Sequence, residues 1–362
     1  MIGGPGDDRV RVEVRARVLA DLRAGTDSFR GGPGPDLVIS GSPGARSRDR
    51  VRLGGGSDTL VLDGRDHRRA VLRGGRGDDL LRVHRRGGTL EVDAGASVAV
   101  VDGRTHARWT SFESYALNSG GRQSFVGSDR DDDVSFGGRG AVEAVTGDGD
   151  DVVGLRFDPG PSVLLPGAAS EGPRVLLDTG DGSDELAVGT SASVVVGDLT
   201  TDLIAFSEED GPVGSFGAVG VEHLSVSAPV DAARDPRSRV ELVGDDLDNT
   251  LSASACHVVL RGAGGDDELA VGLDPPDGFF VTAGGIDRGC RRTSEVYGGL
   301  GDDSLSSRVT TYDFRDLDVG DPAEEVELPV TDLLDGGEGV DAADAGAGRD
   351  TCLAETRISC EA

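Results

Sequence analysis

Aspartate recurs in this chain at one fixed place in a glycine turn. The phrase is cleanest at Gly298-Gly299-Leu300-Gly301-Asp302-Asp303-Ser304-Leu305 and at Gly74-Gly75-Arg76-Gly77-Asp78-Asp79-Leu80-Leu81. Its general form is G-G-x-G-x-D-x-U-x, with U a large apolar residue. Glycine admits positive φ, where a side chain is costly, so the opening residues can turn tightly. The sixth-position Asp then points a carboxylate into the turn, and the x-U-x tail reads as a short strand with one inward side chain. Carboxylates and turn carbonyls are hard oxygen donors, the ligand set of Ca²⁺. A single copy is weak evidence, because glycine-rich turns are common, and the weight comes from repetition.

The sixth position is filled by Asp8, Asp36, Asp58, Asp79, Asp132, Asp151, Asp184, Asn249, Asp267, Asp303, Asp341 and Asp350. Two residues later stand Val10, Val38, Leu60, Leu81, Val134, Val153, Leu186, Leu251, Leu269 and Leu305, with Ala343 and Cys352 in the last two copies. The glycines are eroded around Asp132, in Gly127-Ser128-Asp129-Arg130-Asp131-Asp132, and around Asn249, in Gly244-Asp245-Asp246-Leu247-Asp248-Asn249. Those two loops are expected to be the least complete sites. The anchors step by 22 from Asp36 to Asp58, 21 to Asp79, 19 from Asp132 to Asp151 and 18 from Asn249 to Asp267, and only Asp341 and Asp350 are nine apart. A step of about 20 residues is one full coil of a stacked parallel β structure. One edge is therefore expected to carry a row of glycine-aspartate loops and the opposite edge ordinary turns.

These motifs resemble the RTX, or hemolysin-type calcium-binding, repeat. The resemblance covers most of the chain as scattered copies, and departs from the family in lacking long nine-residue tandems. It implies an all-β, right-handed parallel β-roll in which Ca²⁺ sits between loops of successive coils, held by sixth-position carboxylates and backbone carbonyls. The tail from Asp350 to Glu361 also resembles the ends of secreted actinobacterial proteins of this family.

The elements agree with a solenoid. The chain has 362 residues with 58 glycines and only 4% aromatics. A stacked coil buries a thin ladder of aliphatic residues and has little need of aromatic bulk. Runs such as Ser193-Val194-Val195-Val196 and Val258-Val259-Leu260 are short and β-branched, which reads as strand. Phe112-Glu113-Ser114-Tyr115 and Val221-Glu222-His223-Leu224 look like equivalent strands opening two related blocks. Charge and motif density divide the chain into an Arg-rich segment with four calcium-type loops (1–125), an acidic segment of full and degenerate repeats (126–335), and C-terminal tandem copies with a cysteine-stapled cap (336–362).

Net charge is −30, yet up to Gln123 there are 21 Arg against 16 acids, and lysine is absent throughout. Anion binding by Arg48, Arg50, Arg52, Arg68, Arg69, Arg85 and Arg86 is weighed against codon bias, which explains the all-Arg usage more simply. Stacked carboxylates about 5 Å apart repel by roughly 1–3 kcal/mol per pair, so a cation is expected to be needed for folding. Cys256, Cys290, Cys352 and Cys360 show no metal-ligand spacing and read as disulfides. Cys352 and Cys360 are close enough to staple a terminal coil, and Cys256 with Cys290 is a plausible second bridge. Disulfides and weak calcium sites both suit an extracellular setting.

No H-E-x-x-H, G-x-S-x-G or P-loop is present. His67, His84, His106, His223 and His257 are dispersed and are expected to be solvated. No enzyme activity is expected. The expected function is structural calcium binding with Ca²⁺-dependent folding; the alternatives are the calcium-binding tail of a secreted enzyme and a cell-surface adhesin. Calcium ions are the expected partner, with no nucleic acid and no membrane span; a polysaccharide or cell-surface contact stays open, and a monomer is expected. No signal peptide is visible, and the chain opens mid-pattern at Gly3-Gly4-Pro5-Gly6-Asp7-Asp8, so a preceding segment is expected.

Overall fold

The computed structural model describes residues 3–64, 66–138, 140–157, 175–208, 211–228, 238–272, 293–307, 310–313, 324–327, 331–346 and 348–360. The chain divides into two compact units, Met1–Arg156 with Ser170–Asp184, and Phe157–Ala169 with Glu185–Ala362. Each is an all-β, parallel solenoid in which the chain alternates between two sheets. Among the described residues no helix is long and apolar enough to cross a membrane.

In the first unit one sheet is built from Val18–Asp21, Asp36–Ser40, Thr59–Leu62, Leu80–Arg85, Ser114–Ser119, Asp133–Gly138 and Val152–Phe157, each parallel to the next. The facing sheet begins Arg9–Arg11, Ser28–Arg30, Arg50–Gly55 and Val71–Arg76, again parallel. Register places like beside like. Leu60, Leu81, Tyr115, Val134 and Val153 form one column and Leu62, Val83, Leu117, Phe136 and Leu155 a second. All ten are at most 3% exposed, because alternate residues of a strand face one side.

The second unit repeats the plan. Glu185–Thr190, His223–Ser227, Thr250–Ser254, Glu268–Val271, Ser304–Ser307, Ala342–Asp344 and Thr356–Ile358 form one parallel sheet. Arg239–Val243, His257–Gly264, Thr293–Leu300, Thr331–Glu338 and Thr351–Leu353 lie in the other.

Each solenoid is interrupted by a three-stranded antiparallel meander, and the second unit also carries the antiparallel pair Thr310–Asp313 with Glu324–Glu327. In the first unit it comprises Leu90–Asp93, Val98–Val101 and Arg104–Thr110. In the second it comprises Val194–Asp198, Leu203–Glu208 and Gly211–Val219. Both meanders end just before the strands expected to be equivalent, those carrying Glu113-Ser114-Tyr115 and Glu222-His223-Leu224. The two blocks are therefore related as the sequence indicated.

A disulfide joins Cys352 to Cys360. Cys256 is also disulfide-bonded, whereas Cys290 lies outside the described residues. The solvated state expected of the histidines does not hold for two of them. His67 and His106 are 0% and 3% exposed, with ring centroids 5.1 Å apart edge-on. Coil stacking causes this: the His67 N–H donates to the His106 carbonyl at 2.9 Å, a neighbour far away in sequence. Burial then pushes the His67 pKa down.

If the aliphatic columns carry the stability, Leu60→Ala should lower unfolding free energy by about 2–5 kcal/mol, while Val145→Ala, at a half-exposed site, should change it by under about 0.5 kcal/mol. Urea unfolding followed by circular dichroism measures both. Equal effects would show that the columns are not the core.

Candidate metal centre

Within each unit the glycine turns bring their sixth-position side chains to the start of the strands in a stacked row. Asp36, Asp58, Asp79, Asp132 and Asp151 in the first unit and Asn249, Asp267, Asp303 and Asp341 in the second precede or open strands of the first-named sheet, Asp184 closes the first unit just before Glu185–Thr190, and all are buried. Asp8 and Asp350 do not belong to this row. They precede Arg9–Arg11 and Thr351–Leu353, strands of the facing sheet. The expectation of loops along one edge is corrected accordingly: both edges carry them.

The second edge also holds residues that the motif search missed. Asp8 N–H donates to Asp27 Oδ1 at 2.8 Å, and Asp27 N–H to Asp49 Oδ1 at 3.0 Å. In the second unit Asp332 N–H donates to Asp350 Oδ1 at 3.1 Å. The signal was present in the spacing. Asp27 precedes Asp36 by nine residues, and Asp332 precedes Asp341 by nine. Nine residues carry the chain from one edge to the other, so the nine-residue tandem is half a coil.

On the first edge the same bond repeats. Backbone N–H groups donate to the carboxylate one coil further on, from Asp36 to Asp58 at 2.7 Å and from Asp58 to Asp79 at 3.0 Å. Asp132 donates to Asp151 at 2.7 Å and Asp151 to Asp184 at 2.8 Å. Asn249 donates to Asp267, Asp267 to Asp303 and Asp303 to Asp341 at 2.8, 2.9 and 3.0 Å. Two glutamates complete the row where no glycine loop exists: Asp79 N–H donates to Glu113 Oε2 at 3.0 Å and Asp341 N–H to Glu355 Oε2 at 2.9 Å. Glu222 holds the corresponding position beside Asn249, one residue before the His223–Thr250 pair. These glutamates lack the glycines, so the motif could not reveal them.

That ladder uses only one oxygen of each carboxylate. Oδ2 of Asp27, Asp36, Asp58, Asp79, Asp151, Asp267, Asp303 and Asp332 is buried without a hydrogen-bond partner. Leaving a buried polar atom unmatched is costly, more so when it is charged. The loop geometry makes room for these oxygens. A Cβ at Gly31 would stand 2.5 Å from Asp36 Oδ2, and a Cβ at Gly74, Gly262, Gly298 or Gly336 would crowd its own sixth-position carboxylate still more. Carbonyls face the same gaps. Gly54 has φ +113°, and a Cβ there would meet the Gly32 carbonyl oxygen at 2.5 Å. The first and second glycines of the motif thus keep space for oxygen atoms.

Asp8, Asp132 and Asn249 differ. Their second oxygen, or the amide oxygen of Asn249, turns back to its own loop and accepts from the N–H of Gly4, Ser128 and Asp245, respectively, at 2.8, 2.6 and 2.8 Å. Asn249 also donates its Nδ2 to the Glu222 carbonyl at 3.2 Å. On the second edge Asp49 is saturated as well, since Ser40 Oγ donates to its Oδ2 at 2.6 Å.

Fifth-position aspartates make an outer, exposed ladder running the other way. Asp131 Oδ1 accepts from Asp150 N–H and Asp150 Oδ1 from Ser183 N–H, both at 3.1 Å. Asp248 and Asp266 accept from the N–H of Asp266 and Asp302, both at 2.8 Å, and Asp302 accepts from Val340 N–H at 2.9 Å.

Burial dominates the electrostatics. It raises the Asp58 carboxyl to about 6, and the Asp79 and Asp267 carboxyls to about 7, with backbone hydrogen bonds opposing the rise and neighbouring carboxylates adding to it. Asp36, Asp151 and Asp303 move in the same direction for the same leading reason.

The arrangement fits a hard divalent cation. Orphaned carboxylate oxygens and gap-facing carbonyls are an all-oxygen set, which suits Ca²⁺ and its flexible coordination better than the strict octahedron of Mg²⁺. Among the described residues no three His, Cys, Asp or Glu side chains converge on one point, so main-chain carbonyls would have to complete any shell. No protein-family model matches the chain, and no curated protein matches it.

The carboxyl shifts set the sign of a pH effect in chelator. The folded state holds these protons more tightly than the unfolded chain, whose Asp titrates near 3.8. The contribution is full below that value and is lost as pH rises through about 6 to 7. The urea midpoint of the cation-free protein should therefore be higher at pH 5 than at pH 8. A midpoint that stays level or climbs with pH would contradict the buried row.

Proposed function

We propose that this chain binds Ca²⁺ between its stacked loops and that the ions serve a structural, non-catalytic role. The observation that carries this reading is the row of buried sixth-position carboxylates with one oxygen bonded and the other unmatched. Asp36, Asp58, Asp79, Asp151, Asp267 and Asp303 supply the charge, and carbonyls of adjoining loops supply the remaining ligands. Asp27 and Asp332 offer the same chemistry on the second edge. The resemblance to RTX repeats supports the same ion. A bound cation replaces repulsion within the row by ligation, so binding and folding are coupled.

Sites with few carboxylates belong to the weak range of about 10⁻⁴–10⁻³ M, found in extracellular modules. The Cys352–Cys360 disulfide supports the same compartment, since such bonds persist where the surroundings are oxidising.

Calorimetry and circular dichroism of chelator-stripped protein test this. Ca²⁺ should bind and raise the β signal cooperatively, and Mg²⁺ should do so far less. Asp267→Asn with Asp303→Asn retains an acceptor for each N–H while removing charge. That variant should lose bound Ca²⁺ and keep its β spectrum at saturating ion. Absence of any binding heat in the wild-type protein would end the proposal.

A further inference from the structure

The coil register assembles a second array that the sequence only hints at. Arg11 pairs with Arg30, Arg30 with Arg52, and Arg52 with Arg73, in four consecutive parallel strands. One column of four guanidinium side chains therefore runs across the sheet of the first unit at the strand spacing of about 4.8 Å. Arg9 and Arg50 lie two residues earlier on their strands, about 6.6 Å away, on the same face. All six are exposed, while Val10, Phe29, Val51 and Leu72 between them point inward.

Two features set this face apart. Like charges directly opposite one another in a sheet are destabilising, and here the same charge is stacked four deep. Acids that could offset it are scarce: among the described residues the column's one ion pair is Arg11 with Glu13, at 3.0 Å. This occurs in a chain with 66 acids against 36 arginines. Some exposed arginines outside the column do have acidic partners, as Arg122 has Glu143, Arg239 has Glu241 and Arg68 has Asp66.

We propose that this face binds a linear acidic polysaccharide, its carboxylate or sulfate groups lying along the arginine column. Charge complementarity with regular spacing is the basis. A polymer with repeated anions meets repeated guanidinium forks, each able to make paired, charge-assisted hydrogen bonds. Single-stranded nucleic acid is disfavoured because the face has no exposed aromatic side chain on which bases could stack: Phe29 and Trp109 are buried. A membrane surface is disfavoured because Val71 is the one exposed large apolar residue among these four strands, too little for insertion. The proposal is independent of cation binding in the loops.

The test uses the full chain at fixed Ca²⁺, with heparin and polygalacturonate as probes, and with neutral dextran, mixed-sequence duplex DNA and phosphatidylglycerol vesicles for comparison. The triple variant Arg30→Gln, Arg52→Gln, Arg73→Gln removes the column. The triple variant Arg82→Gln, Arg86→Gln, Arg130→Gln removes equal charge from exposed positions outside it. Wild-type protein should bind an acidic polysaccharide in a salt-sensitive manner, and loss of the column should weaken binding at least about tenfold, as expected for three charge-assisted contacts. The outer variant should bind within about twofold of wild type, and both variants should keep the wild-type circular dichroism. No binding to either polysaccharide overturns the proposal, as does equal weakening by the two variants. Tighter, column-dependent binding to DNA or vesicles, or column-dependent self-association without polysaccharide binding, overturns it in favour of that partner.

Discussion

The structure depends on a hydrogen bond from a backbone N–H to a carboxylate one coil away. It is repeated along the row, from Asp36 to Asp58 to Asp79 and from Asn249 to Asp267 to Asp303 to Asp341. This bond resolves one problem and creates another. A turn that leaves the sheet strands an N–H in the interior, and the carboxylate satisfies it. Repetition then buries a file of like charges, each with an oxygen to spare. Glycine in the turn, the aliphatic columns beneath it and the elevated carboxyl pKa values all follow from fitting that file into a dry edge.

The exceptions show what the row requires. Glu113 and Glu355 take the acceptor role in coils without a glycine loop, because the longer side chain reaches the same N–H from a different backbone path. Asn249 keeps an oxygen acceptor and adds a donor to the Glu222 carbonyl, which removes one charge where a run begins. Two runs of aspartate thus end on a glutamate, and the one through Asp267 and Asp303 starts from an asparagine whose oxygen and nitrogen both bond to protein. Along those runs the unmatched oxygens accumulate.

Much of this was legible in the sequence. The apolar residue two places after each anchor is buried in every copy, from Val10 to Cys352, because the motif couples a turn to a strand of fixed phase. The eroded loops at Asp132 and Asn249 were recognisable, and their side chains do fold back, as does that of Asp8, whose glycines gave no such sign. What stayed hidden depends on register between coils. Asp27 follows a phrase with one glycine and Asp332, in strand Thr331–Glu338, a phrase with none, and only their nine-residue distance from Asp36 and Asp341 marks them. The burial of His67 and His106 and the alignment of Arg11, Arg30, Arg52 and Arg73 come from stacking strands of unequal coil length. Coils of 18 to 22 residues, with a meander inserted in each unit, erase the constant period that would have exposed these columns.

The two aspartate ladders run in opposite senses, and this gives the loops their order. Across the gap between Asp267 and Asp303 the inner bond is donated by Asp267 N–H and the outer bond by Asp302 N–H to Asp266. Each loop therefore both gives and receives at the same gap. A shift of one loop along the stacking direction would lengthen both bonds together, so the separation is held by opposed contacts. The Asp36, Asp58 and Asp79 loops lack the outer partner, having Pro35 and Ser57 at two of the fifth positions. In the acidic repeats the opposed bonds fix the oxygens facing each gap, an order that would lower the entropic cost of any ligand binding there. In the Asp36, Asp58 and Asp79 loops that positioning rests on the inner ladder and on the aliphatic columns beneath it.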